Sequence, residues 1–217
     1  MKRLAWSGVV ALALCAAVCP PRGLAQAAGE QDHAPPKSVT IKIVTNAPDP
    51  KKWNFGKTAD GTKRVFSCKP LACAAPETVV FTFQKGQMTP PTPEWLEKFA
   101  TVELPKTIRA AAASRAVMTG QSEKIETLFS KTATLKEYPS ALNETKITQG
   151  LAVVYVELAI VFAAPIIIRI ESKSPSRDLA KNSLQGFVQE LQIVETPGPP
   201  AGTTIPAKPR APKTQEL

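Results

Sequence analysis

Cys68 and Cys73 flank the short segment Lys69-Pro70-Leu71-Ala72, and two cysteines this close support one of two chemistries. They can close a small disulfide loop with Pro70 in its turn, or offer two thiolates to a metal. The metal option is the poorer one, because a tetrahedral zinc site takes four nitrogen or sulfur ligands. The sequence has one histidine, His33, and its other cysteines, Cys15 and Cys19, lie in the N-terminal leader. A single histidine outside the folded region also excludes a Ser-His-Asp triad there. Carboxylate pairs remain: Glu94 with Glu97, and Glu123 with Glu126, have a spacing that suits general acid-base work. Each pair sits in a polar stretch that reads as solvated surface. Glu157, inside an apolar run, and Arg169, on the strand that follows, suggest either a buried ionic pair or an acid with a raised pKa. The expectation favours both facing solvent on one side of a sheet. No glycine-rich phosphate loop is present. Asn143-Glu144-Thr145 matches a glycosylation sequon, relevant only in a eukaryotic secretory route.

Basic and aromatic residues interleave in one place. Trp53, Phe55 and Phe66 are accompanied by Lys51, Lys52, Lys57, Lys63 and Arg64, a composition that can stack bases and contact phosphates. The plainer expectation is that the three aromatics belong to the core while the cations sit near a solvated turn. The candidate interaction residues here are Lys57, Lys63 and Arg64; nucleic acid is not the expected partner.

These residues need elements to hold them. Val39-Thr40-Ile41-Lys42-Ile43-Val44 alternates strictly and predicts a strand. Asp60-Gly61 is a favoured two-residue turn between Trp53–Thr58 and Lys63–Cys68, so a hairpin is expected with Phe55 opposite Phe66, Trp53 opposite Cys68, and Lys57 opposite Arg64. Val79–Phe83 predicts another strand, ended by Gly86. Thr92-Pro93-Glu94 starts a helix with a hydroxyl cap, proline at its first position and an acid at the positive end of the dipole. Trp95, Leu96 and Phe99 form its apolar stripe. Pro105 breaks or restarts it, and a second piece ends near Gly120. Strands are predicted at about 124–130 and 132–138. The run Leu151–Ile168 carries one acid, Glu157; its valine and isoleucine content, and a turn at Ala163-Ala164-Pro165, favour a hairpin over a membrane span. The last helix, about 175–191 and capped by Ser174 or Ser176, directs Leu179, Ser183, Leu184, Phe187, Val188 and Leu191 to one face. Arg177, Lys181, Gln185 and Gln189 point away from it.

The two ends differ from this centre. Met1-Lys2-Arg3, the apolar run Leu4–Val18 and Leu24-Ala25-Gln26-Ala27 form the three regions of a secretory signal peptide, residues 1–27. Cleavage takes away Lys2, Arg3 and Arg22 and no acid, so the net charge of +9 becomes +6. The exported protein, periplasmic or secreted, then keeps Cys68 and Cys73, and an oxidising compartment favours their pairing. Residues 28–38 read as a flexible lead-in and 39–196 as a single domain. Residues 197–217 hold six prolines, two glycines and no aromatic, too little apolar surface to offset the entropy of ordering. This disordered basic tail carries Lys208, Arg210 and Lys213 against Glu216.

Strand, aromatic hairpin, strand, mid-chain helix, meander, long hairpin and a closing helix through Phe187-Val188-Gln189-Glu190-Leu191 is an order that resembles the PsbP-like fold. The resemblance implies an α+β domain, with an antiparallel sheet flanked by a mid-chain helix and a C-terminal helix in an α/β/α sandwich. It also implies an accessory or binding role without chemistry of its own. The expected function is that of an exported, non-enzymatic interaction domain, accessory to a protein or acidic envelope component, with no cofactor and no catalytic residue or metal ligand. The alternative is a carrier of a small apolar ligand or lipid, with a cavity between sheet and helix. A carboxylate-based hydrolase stands third.

Overall fold

The computed structural model describes residues 39–87 and 89–197. Strand β1 (Val39–Val44) is followed by β2 (Trp53–Lys57), β3 (Lys63–Cys68) and β4 (Thr78–Lys85). Helix α1 (Pro93–Lys98) runs through a π-helical turn (Phe99–Glu103) into α2 (Leu104–Thr119). Then come β5 (Lys124–Leu135), β6 (Tyr138–Gln149), β7 (Ala152–Ala163), β8 (Ile166–Ser174), α3 (Arg177–Glu190) and β9 (Gln192–Pro197). Seven strands form an antiparallel sheet in the order β2-β3-β4-β8-β7-β6-β5, and β1 pairs with β9 separately. The α+β class and the sheet between helices are as expected.

The helices begin where the side chains dictate. Thr92 accepts from the Trp95 amide at 3.3 Å and Pro93 takes the first position of α1. Pro105 neither ends nor interrupts the helical run, because a π-helical turn precedes it and the Ala100 carbonyl accepts from the Ser130 hydroxyl. Gly120 closes α2 with φ of 69°, a left-handed conformation that disfavours a Cβ.

Period-two alternation sends the two sheet faces into separate cores. On one face, Val79, Phe81, Ala159, Val161, Ile168 and Ile170 meet Leu184, Phe187 and Leu191 of α3 and the segment after it. Phe187 is fully buried, with ring centroids 4.9 Å from Trp53 and 4.8 Å from Phe66. On the other face, Leu158, Ile160 and Phe162 meet Leu96, Ala100 and Leu104.

The hairpin register is the expected one: Trp53 opposes Cys68, Phe55 opposes Phe66, and Lys57 opposes Arg64. Its loop is stiffened by Asp60, whose carboxylate accepts from both Thr58 and Thr62 hydroxyls and is held down to about 2 by those bonds. Three expectations are corrected. Phe55 is 57% exposed rather than core, because β2 is the sheet edge and α3 does not extend over its outer residue. The strands expected at 124–130 and 132–138 are one strand, β5, and the second, β6, starts at Tyr138 and runs to Gln149. The turn between them, Lys136-Glu137, has φ of 50° and 70° without glycine or asparagine to announce it. Residues 192–197 form a strand, where no element was expected after the helix. Asn143, the sequon residue, is 1% exposed, since its side chain is inside the sheet's helical cover and donates to the Phe129 carbonyl and the Ser130 hydroxyl at a bulge in β5.

Candidate functional site

Alternation along β6, β7 and β8 puts Glu144, Glu157 and Ser172 side by side in one row beneath α3. Glu157 therefore does not face solvent with Arg169: it is 3% exposed, and Arg169 lies on the opposite face, paired with Glu171. The cause is parity, since the positions next to Ala159 and Val161 on the same face must enter the core. Arg177 reaches back from the first turn of α3 to hold both oxygens of Glu144. So this residue, expected on a free polar face of the helix, is a lid on a buried carboxylate. The Glu157 pKa is raised to about 7, chiefly by burial and then by the neighbouring Glu144 charge, against the opposing effect of Lys181 and Arg177. The Glu157 Oε1 and Ser172 Oγ atoms have no hydrogen-bond partner. Glu157 can hold a proton near neutral pH, but a carboxyl sealed under a helix has no access to a substrate.

The basic hairpin separates into its parts. Lys57 and Lys63 are exposed, whereas Arg64 is committed: its guanidinium donates to the Ile43 carbonyl and the Thr45 hydroxyl and lies 5.0 Å from the Phe83 ring. That geometry ties the end of β1 to the sheet and takes Arg64 out of any free cationic patch. Lys208, Arg210 and Lys213 lie outside the described residues.

Cys68 and Cys73 have Cα atoms 6.2 Å apart and are bridged. Glu77 approaches the two sulfurs, with all three groups within 4.8 Å of one another. Bridged sulfurs present no thiolate, and the Glu77 carboxylate is already engaged by Ser183 and, at 3.6 Å, by Lys52. The cluster fastens α3 to the loop between β3 and β4.

The remaining site was missed by sequence reasoning. Where β4 ends and the β7–β8 turn folds over, α1 leaves an apolar groove of about 440 Å³ lined by Pro90, Pro91, Trp95, Phe162, Ile166 and Ile167. Gly86 permits the close approach of these segments, since a Cβ there would meet Ile167 at 2.9 Å. Trp95 is 49% exposed; its ring stacks on Phe99 at 5.0 Å, and both meet Phe162 edge-on at 5.7 Å. A large aromatic held rigid on one face and open on the other is suited to recognising an apolar or proline-bearing group. The sequence placed Trp95 on the apolar stripe of α1; only the packing shows that Leu96 takes the buried position and Trp95 the rim. On the other side of α1 a second cleft, sharing Pro91, is bordered by Glu94, Glu97 and Glu137.

Among the described residues, no helix is long and apolar enough to cross a membrane. No protein-family model and no curated protein matches the chain. Solved structures do. PsbP (CyanoP) of Synechocystis sp. PCC 6803 is 12% identical, with 76% of this chain and 98% of that one covered and a TM-score of 0.49. LpqN, involved in cell envelope biogenesis of Mycobacterium tuberculosis, is 12% identical over 74% of this chain and 87% of that one, with a TM-score of 0.45. The Ran-binding protein Mog1p of Saccharomyces cerevisiae is 11% identical over 71% and 96%, with a TM-score of 0.40. These likenesses concern the arrangement of helices and strands, and the first is to a PsbP domain, the fold that the order of elements resembles.

Proposed function

We propose that this chain is an exported, non-enzymatic interaction domain that docks a segment of an envelope protein in the groove beside Trp95. The observation that carries the reading is the half-exposed Trp95, stacked on Phe99, in an apolar groove bordered by prolines. Exposed aromatics in such settings are the anchors of protein interfaces. The positive start, apolar run and small-x-small triplet of residues 1–27 support export. The core beneath α3 is filled by Phe187 and its aromatic neighbours, which supports the interaction reading over a carrier with its ligand between sheet and helix. A carrier also shields its cargo, whereas this groove stays open along Trp95.

Capture from a solubilised envelope fraction, with wild-type protein and Trp95→Ala as baits, tests the proposal. The wild type retains a discrete partner and the variant loses it, with both melting at the same temperature. Equal recovery on both baits overturns the assignment of the groove.

A further inference from the structure

Resting on that reading of the groove, we infer that its occupant is a basic segment of the partner, one that seats an apolar side chain against Trp95 and sets an arginine or lysine, about three residues away, among Glu94, Glu97 and Glu137. The two clefts beside α1 share Pro91, so one chain can lie in both. Helical rotation gives them their different characters. Glu94 and Glu97 stand about 100° and 160° round the axis from Trp95, in the same sense; they border the second cleft, while Trp95 and Phe162 line the first. Glu137 joins the two acids from the β5–β6 turn.

Charge selects the occupant. All three carboxylates are exposed. No lysine or arginine lines either cleft, and none of the three acids has an ion-pair partner among the described residues. Glu97 is positioned by the Thr132 hydroxyl, which donates to it at 3.3 Å. This uncancelled acidic border lies on a chain of net charge +9, whose overall field favours acidic ligands, so a preference for cations here has to come from the cleft itself. A neutral flank gains nothing from the three acids and an acidic one is repelled, whereas a guanidinium can bond a carboxylate with both prongs. The spacing follows from α1. A helix with its side chains is about 10 Å across, and an extended chain passing it at Pro91 covers that distance in about three residues of ~3.3 Å each.

The test pans a displayed library of random heptapeptides on the full chain, with wild type, Trp95→Ala and the triple variant E94Q/E97Q/E137Q as baits that melt together. Peptides enriched on the wild type carry an apolar residue with an arginine or lysine about three positions from it. One such peptide, made synthetically with a fluorophore, binds Trp95→Ala and the triple variant each roughly tenfold more weakly than the wild type. Its affinity falls with rising salt on the wild type and far less on the triple variant. Enriched peptides that need Trp95 but show no preference for cations, or a preference for acids, overturn the inference and leave the docking groove standing. Cationic peptides indifferent to Trp95→Ala overturn the reading of the groove, and the two-part occupant with it. A dimer in sedimentation that Trp95→Ala abolishes assigns the groove to a second copy and overturns the inference, as does a wild-type bait that enriches no peptide.

Discussion

Glu157 is the residue at which acid-base chemistry and folding meet. Its folded pKa of about 7 lies above the ordinary carboxyl value because burial disfavours the charged form. A raised folded pKa means that the native state binds the proton more tightly than the unfolded chain. The resulting stability is fully present below about 4.5 and is lost as pH rises through about 7. Glu157→Gln, which stays neutral, should match the wild type at pH 5 and melt above it at pH 8; thermal unfolding of both across that range measures the divergence, and parallel curves would show that the carboxyl is not buried as described. Phe187 tests the core in the opposite sense. Its ring touches Trp53, Phe66 and Phe81, so Phe187→Ala should cost about 3 to 5 kcal/mol in chemical denaturation. A loss below 1 kcal/mol would mean that α3 does not seal the sheet.

At the scale of elements, signals that depend on one residue type at one place were legible. The Asp60-Gly61 signal gave the hairpin and its register down to Phe55 opposite Phe66, although the turn itself closes from Thr58 to Gly61 around Ala59-Asp60; Pro93 and Thr92 marked the start of α1, and Ala164-Pro165 marked the β7–β8 turn. The β5–β6 connection was not legible, because Lys136 and Glu137 adopt positive φ without the usual residues. β-branched and polar residues in 139–149 are buried on both faces and show no clean alternation. Strand β9 was missed for a related reason: six residues pair only with β1 and take their order from that distant segment. The groove was illegible because it depends on which of Trp95 and Leu96 turns inward, a matter of α1's rotation over Phe162. A strained turn can be relieved. Glu137→Gly removes the Cβ from a left-handed position, and its unfolding free energy in denaturant should rise by on the order of 1 kcal/mol, with a higher midpoint. An unchanged or lowered midpoint would place the turn's φ elsewhere.

For the whole molecule, the proposed export and the Cys68–Cys73 bridge are tested on one sample. The form recovered outside the cytoplasm should begin near Ala28, and its intact mass should be lower by two hydrogens than after reduction, reflecting the Cys68–Cys73 bridge. Recovery with Met1 still attached, or with two alkylatable thiols, would refute the compartment or the bridge respectively. The bridge closes a short loop and so restrains the unfolded chain by only about 2 kcal/mol; beside its sulfurs Glu77 accepts from the Ser183 hydroxyl. The last consequence is mechanical. Because Val39 opposes Pro197 at the open end of the β1–β9 ladder, both flanks of the domain leave from the same point. Antiparallel bonds lie across the strands, so tension applied between the flanks loads them one at a time, as a zipper is loaded, instead of all together in shear. A domain held by one flank and tugged by the other would part first at this two-stranded ribbon, from Val39 toward Val44, while the seven-stranded sheet stays slack.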